Sequence, residues 1–434
     1  MSSILIKGGR VIDPGAGRDA TADVLIERGK IVEVGEVTST ADEVIDARRR
    51  IVCPGLIDVH VHLREPGNDE TETIATGVAA AVAGGFTAVV CMPNTHPPVD
   101  TPAAVEFVYR QSVRAALARV YPVGTVTKGR SGAELAELAA LRGADVVGFS
   151  DDGDPVADAE VMRRALQYAR MLDLPVITHA EDRTLSAGGV MHEGAVSARL
   201  GLPGMSAESE AAAVARDVTL AEETGARLHV AHVSTAGAVE AVRRAKDRGV
   251  RVTAEACVHH LTLSDTCLLE RDDDGILKFD TSYKMSPPLR SPDDVEALRK
   301  GLRDGTIDCI VSDHAPHPLE AKAVEFTEAA FGVIGLETSL AVVVTELIAP
   351  GVLTWLEAVA LLSTNPARAL GLPGGTLEAG SPADVTLIDP ECEWTIDASA
   401  FHSLSRNTPF DGKEVKGKAA CTIVGGEVKT APVR

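Results

Sequence analysis

Between Gly55 and Asp313 the chain alternates eight times between a short apolar stretch and a longer stretch rich in Ala, Glu and Arg. The apolar stretches are Gly55–His62, Phe86–Asn94, Arg119–Thr125, Val146–Asp152, Pro175–Glu181, Arg227–Ser234, Arg251–His259 and Ile307–Asp313. Runs this short, bounded by turns, read as buried strands of a parallel sheet. Several intervening helices end in Gly, as in "AAAVAGGFTAVV", "AEETGARLHV" and "AKDRGVRV". Gly closes a helix before the next strand begins. Such alternation over about 300 residues predicts an α/β fold, a (β/α)8 barrel of the TIM type. An open doubly wound sheet is the alternative, but it would carry a Gly-rich phosphate turn after its first strand, and none is seen. Hydrophobic residues make up 45% of the chain and aromatics 3%, so Val, Ile, Leu and Ala must fill the core, as barrel interiors prefer.

The flanks read differently. "ILIKGGRVID", "ADVLIERGKIVEVG" and "EVIDARRRIV" alternate β-branched residues between glycines and turns, and "ADVTLIDP" and "AACTIVGGEVKT" repeat that style near the other end. This is hairpin patterning. It predicts one small β domain built from both termini, residues 1–53 and 369–434, with the barrel, 54–368, inserted between them.

Residues that carry chemistry fall where the predicted strands end. Strand one ends in "HVHLR", with His60, His62 and Arg64 at a spacing of two, the period of a strand. Strand four ends in Asp151 and Asp152, strand five in His179, strand six in His232, and strand eight in Asp313, His314 and His317. In a barrel this is the active-site face. One such His is usually a solvated strand end, whereas five strands converging this way point to a metal site. Parity separates some neighbours. Leu228, Val230 and His232 share a face, which gives His229 a structural or helix-packing role. Cys309, Val311 and Asp313 share a face, which leaves His314 outside. Asp151 and Asp152 lie where the strand stops, so both remain candidates. His96, His192, His259, His260 and His402 have no pattern that indicates ligation. Four His and two Asp suit a divalent ion, foremost Zn²⁺. The chemistry such a site supports is metal-assisted hydrolysis.

The formal net charge of -21 argues against nucleic-acid or anionic-membrane binding. An anionic substrate would need local positive groups. Seven cysteines without a C-x2-4-C pair exclude a disulfide framework and a zinc ribbon. No secretory leader or 18-residue apolar run is present, which predicts a soluble cytoplasmic protein.

The ordered set "PGLIDVHVHLREPG", "CMPNT", "GFSDDG", "THAED", "HVAHVST", "SDHAPH", "FGVIGLET", "STNPARALGL" and "GTLEAGSPADVTLID" resembles the dihydroorotases of the amidohydrolase superfamily over nearly the whole chain. The resemblance implies a (β/α)8 barrel with a small β-sandwich from both termini. It implies one or two Zn²⁺ per chain. His60, His62 and Asp313 would bind one, His179 and His232 a second, with Asp152 bridging. Many relatives, the hydantoinases among them, place a carboxylated lysine at the bridge; the form resembled here uses aspartate. Arg64 and Asn94 would hold a substrate carboxylate, and His317 with the backbone of Phe331 and Gly332 the ring amide groups. The family pattern Asn-Pro-Pro-Leu-Arg reads "SPPLR" here, so Ser286 stands for the asparagine as a substrate contact, reaching through a water.

The implied reaction is the reversible cyclisation of N-carbamoyl-L-aspartate to L-dihydroorotate in de novo pyrimidine biosynthesis, with Asp313 as general base and acid. A related cyclic amidase, hydantoinase or allantoinase, is one rival. An inactive structural subunit beside an aspartate carbamoyltransferase is the other, and its filled ligand positions weigh against it. A homodimer is the assembly the family suggests. The segment "HAPHPLEAKAVEFTEAAFG", residues 314–332, reads either as a mobile lid or as an ordinary surface loop.

Overall fold

A computed structural model describes residues 3–430. Five strands precede residue 55: β1 (Ile4–Asp13), β2 (Arg18–Glu27), β3 (Lys30–Gly35), β4 (Glu43–Asp46) and β5 (Ile51–Pro54). Then come β6 (Leu56–Val61), β7 (Phe86–Cys91), β8 (Arg119–Pro122) and β9 (Val176–Thr178), a small ribbon of β10 (Met191–His192) and β11 (Gly204–Met205), and β12 (Leu228–Val230), β13 (Val252–Cys257) and β14 (Cys309–Val311). The last three strands are β15 (Val385–Thr395), β16 (Glu414–Val424) and β17 (Glu427–Val428).

The two flanks share one eight-stranded sheet, ordered β17-β16-β15-β5-β1-β2-β3 with β4 on β1. Its hairpins sit where the sequence places them. Arg28 and Gly29 turn β2 into β3 with φ of 52° and 75°, and Gly425 and Gly426 turn β16 into β17, the left-handed pairs that two-residue hairpins need. The sheet curls until its ends meet. A Cβ on Gly426 would lie 2.9 Å from the Gly29 Cα. Ile6, Val24, Ile31, Val52, Val385, Leu387 and Ile423 fill the core inside the curl.

The middle of the chain is parallel. β6-β7-β8 form one sheet and β9-β12-β13-β14 another. Phe149 bridges them by pairing with Gly124 and with Val176, and His314 pairs with Val61 on the far side. The pairings thus run from β6 through β14 and back to β6. The predicted strand Val146–Asp152 is reduced to the single bridge residue Phe149. Its neighbours explain this: Val147 donates to the Pro122 carbonyl and Phe149 to the Pro175 carbonyl, and a proline returns no N–H to the ladder.

Helices flank these strands and begin on side-chain caps. Thr101 caps Pro102–Ala115, Asp158 caps Ala159–Leu172, Ser206 caps Ala207–Thr224, and Ser291 caps Pro292–Arg303. Gly225 closes the Ala207 helix in the left-handed conformation, as "AEETGARLHV" predicts. One core packs strands against helices, through Val89, Leu228, Val230 and Ala254 among others. Another lies on the inner strand face, through Ile57, Val59, Val90, Ile177, Cys309 and Val311. All seven cysteines are unpaired. Among the described residues, no helix is long and apolar enough to cross a membrane.

Candidate active site

The donors gather at the C-terminal ends of the parallel strands, and local irregularities aim them. In β6, Ile57 and Val59 belong to the inner core, so strict alternation would send His60 outward. The register with β7 shifts between Asp58 and Val61. The extra residue is a bulge, and it reverses the parity. The Asp58 carboxylate holds the bulge by accepting from the N–H of His60 at 3.1 Å and of Ser312 at 3.0 Å. Arg64, His232 and Asp313 lie just past the ends of β6, β12 and β14, with φ of 60°, 32° and 45°. Non-glycine residues rarely adopt such angles, and where they do a functional constraint is a common reason. Strand parity therefore does not bring Arg64 into line with His60 and His62; a left-handed turn does.

Asp152 is the hub. Its Oδ1 lies 3.4 Å from His60 Nε2, 3.4 Å from His232 Nε2 and 3.6 Å from His179 Nδ1. Its Oδ2 lies 3.7 Å from His62 Nε2. Asp313 Oδ1 lies 3.0 Å from His62 Nε2 and 3.7 Å from His60 Nε2. Asp151 turns elsewhere, accepting from the N–H groups of Val126 and Thr127 at 2.9 and 3.0 Å and from the Thr127 hydroxyl. Burial opposes ionisation of Asp152, but His60, His179 and His232 overcome it and hold its carboxyl well below the usual range. Burial keeps His62 below its ordinary pKa against the pull of Asp313. That favours the neutral imidazole a metal ligand requires.

The residues fit a metal centre. His60, Asp152 and His232 form one three-donor group and His60, His62 and Asp313 another, each with donor atoms within 4.8 Å of one another. At their meeting point His60 Nε2 and Asp152 Oδ1 are buried without a hydrogen-bond partner. Buried polar atoms are rarely left so. A cation between them would satisfy both. Cys257, His259 and His260 form a third close group. Burial and the nearby Asp313 push the Cys257 thiol well above its ordinary pKa.

A cavity of about 480 Å³ opens over the donors. Arg64, Asn94, Ser286, His317, Phe331 and Gly332 all line it, together with His62, Asp152, His179, His232 and Asp313. His60 lies beneath, fully buried. Arg64 Nε donates to the Pro316 carbonyl at 3.0 Å. Among the described residues its Nη groups have no partner and no carboxylate lies within salt-bridge distance. Burial draws its pKa down to about 10. Asn94 Oδ1 accepts from His62 Nδ1 at 2.8 Å. His317 Nε2 donates to the Phe331 carbonyl at 2.7 Å, and burial together with Arg64 holds its pKa near 3.

One functional residue escaped the sequence reading. Glu255 of β13 is fully buried on the inner face. Its Oε1 accepts from His60 Nδ1 at 2.5 Å and its Oε2 from His229 Nε2 at 2.8 Å. His229 does point away from Leu228 and Val230, but it points inward, to Glu255 and Thr253, rather than into helix packing. The helices lie on the Leu228 and Val230 side. A lone acid in "RVTAEAC" was the available signal. A carboxylate in an apolar strand must be paired where it is buried.

The sequence matches the Dihydro-orotase-like family model over residues 49–238. It is 55% identical to the dihydroorotase of Pelotomaculum thermopropionicum, with 98% of each chain covered. It is 53% identical to that of Syntrophotalea carbinolica over the same shares. Among solved structures it resembles the L-hydantoinase (dihydropyrimidinase) of Arthrobacter aurescens, with a TM-score of 0.88 at 27% identity, covering 100% of this chain and 97% of that one. The dihydropyrimidinase of Brevibacillus agri follows with a TM-score of 0.84 at 26% identity, covering 99% and 95%.

Proposed function

The chain belongs to the dihydroorotase family, and from that premise we propose that it interconverts N-carbamoyl-L-aspartate and L-dihydroorotate in pyrimidine (UMP) biosynthesis. The observation that carries the reading is Arg64, a guanidinium whose Nη groups have no partner among the described residues, in the same cavity as Asp152 and Asp313. In a chain of charge -21 it is the local positive group that a carboxylated ring needs. Its planar fork matches a carboxylate.

The fold we assign is a (β/α)8 barrel, residues 54–368, inserted in a β-sandwich from residues 1–53 and 369–434. The continuous round of parallel pairings and the shared, curled flanking sheet support it. His60, His62 and Asp313 would hold one zinc, His179 and His232 a second, with Asp152 between them. Bound zinc would supply a Lewis acid that polarises the amide carbonyl and acidifies water. Asp313 takes the proton from the attacking water and delivers it to the departing ring nitrogen. Arg64 and Asn94 hold the ring carboxylate, while His317, Ser286 and the Phe331–Gly332 backbone hold the ring amides. A cytoplasmic homodimer, alone or with an aspartate carbamoyltransferase, is the assembly we infer.

The test is turnover by purified protein of measured metal content on L-dihydroorotate, dihydrouracil and hydantoin. A preference for dihydroorotate is expected. Faster hydrolysis of either uncarboxylated ring would transfer the reading to a cyclic amidase of the hydantoinase type.

A further inference from the structure

Lys322 lies on a short helical turn, Leu319–Lys322, within the segment that follows β14. Its side chain is buried, with 6% of the residue exposed. Among the described residues no carboxylate pairs with it. Instead the ammonium donates to three backbone carbonyls: Ala330 at 2.8 Å, Lys284 at 3.0 Å and Gly332 at 3.0 Å. An ammonium has three N–H bonds, so each is used. Buried charge without a counter-ion is costly, and carbonyl ligation on all sides is what makes it tolerable here.

The three carbonyls belong to two chain segments that both border the cavity. One carries Lys284 and, two residues on, Ser286. The other carries Phe331 and Gly332. Gly332 N–H closes the clamp by donating to the Lys284 carbonyl at 3.0 Å. Lys284 adds a second tie, donating to the Thr327 carbonyl at 2.8 Å with its Nζ 4.5 Å from the Phe331 ring centroid. Gly332 has a φ of 134°, and a Cβ there would fall 2.9 Å from His317 Nε2, so this backbone has one narrow allowed course.

We propose that Lys322 is a positioning residue that fixes the backbone of Phe331 and Gly332, and the segment bearing Ser286, at the distance the substrate ring requires. This rests on the reading that those groups hold the ring amides. The segment 314–332 is then a clamped wall of the site rather than a free lid. Lys322 touches neither substrate nor metal ligands; it acts through the three carbonyls it gathers.

The test compares native protein with Lys322→Met, which keeps an unbranched side chain one atom shorter but removes every donor, and with Lys322→Gln, which keeps two. Burial draws the ammonium down to about 7, with Lys284 adding to the fall and Asp280 opposing it, so assays run at pH 6, where it is charged. Lys322→Met should raise KM for dihydroorotate at least about tenfold while kcat stays within about threefold, the signature of lost positioning in the bound state. Metal content should match native. Backbone hydrogen exchange in the substrate-free protein should quicken at Ala330–Gly332 and Lys284–Ser286 and not in β6 or β13. Lys322→Gln should fall between the two, and it carries the test if the Met variant does not fold. Native exchange and native KM in both variants would overturn the proposal. So would a loss of metal and kcat together with KM unchanged. If native protein does not turn over dihydroorotate, the substrate reading fails, and the exchange experiment still decides whether Lys322 clamps the wall.

Discussion

Glu255→Gln is the most searching perturbation of the site, because it changes one charge and almost no volume. In the native protein one carboxylate serves two imidazoles, His60 at 2.5 Å and His229 at 2.8 Å. His60, burial notwithstanding, pulls its pKa down to about 2. Accepting from His60 Nδ1 fixes the tautomer, so that Nε2 presents its lone pair toward Asp152 and Asp313. The amide of Gln can still accept from His60. Its NH2 then faces His229 Nε2, which must become an acceptor by moving its proton to Nδ1, where the Thr253 hydroxyl, 2.7 Å away, can receive it. The fold therefore keeps its hydrogen bonds, and the loss is the charge-assisted part of two of them. A bond to a charged group contributes about 1.5–3 kcal/mol and a neutral one about 0.5–1.5, so the pair weakens by roughly 2–3 kcal/mol. Partners of this kind are associated with losses of about 10–100-fold in metal affinity, or about 1.4–2.8 kcal/mol, which agrees. The assay is chelator competition for zinc on native and variant protein, with the thermal midpoint recorded on both. Weaker zinc binding with a midpoint lowered by a few degrees is expected. Native zinc affinity in Glu255→Gln would refute the argument that this carboxylate orients His60.

His60→Ala should lose bound metal and turnover while circular dichroism stays native, because His60 sits in the bulge of β6, where the register with β7 shifts between Asp58 and Val61; full metal content would remove His60 from the donor set. Asp152→Ala should empty the site of metal, whereas Asp151→Ala should retain metal and lower thermal stability by freeing Val126 and Thr127; equal metal loss in the two would contradict the geometry. Arg64→Met should lower kcat/KM for dihydroorotate at least about tenfold, from a lost charge-assisted contact of roughly 1.5–3 kcal/mol, with metal unchanged and the preference over dihydrouracil reduced. His317 is held neutral down to about pH 3, so His317→Asn should lower kcat/KM without shifting either limb of the pH profile between 5 and 9. A displaced acid limb would show that His317 titrates in the working range.

The sequence announced the donors more clearly than the way they are aimed. Residue types and their places at strand ends were enough to list His60, His62, His179, His232 and Asp313, since few other roles put so many candidate ligands on one rim. Period-two reasoning then misled at His229, because it names the face opposite Leu228 but not which face holds helices. It also could not see the bulge at Asp58–Val61 or the left-handed turns at Arg64, His232 and Asp313, which arise from tertiary contacts such as the Ser312 N–H reaching Asp58. The choice between Asp151 and Asp152 was open for the same reason. Glu255 was legible only as an anomaly, one acid in an apolar strand, and its partners lie 195 and 26 residues away. The glycine stops of the helices, being local, were read directly.

The shared flanking sheet has a bearing on synthesis. Strand β5 pairs with β15 across more than three hundred residues. Thr386 of β15 also accepts from the N–H of Leu56, the first residue of β6, and donates to the Gly85 carbonyl just before β7. On a ribosome, residues 4–54 emerge long before residues 385–424 and expose unpaired strand edges, the kind that invite association between nascent chains. They wait there until residues 385–424 leave the tunnel. At about 5–20 residues per second that interval is tens of seconds. The strand that carries His60 is anchored by the same late residue, so activity should appear as a step once residues 385–424 are out and not in proportion to the length made.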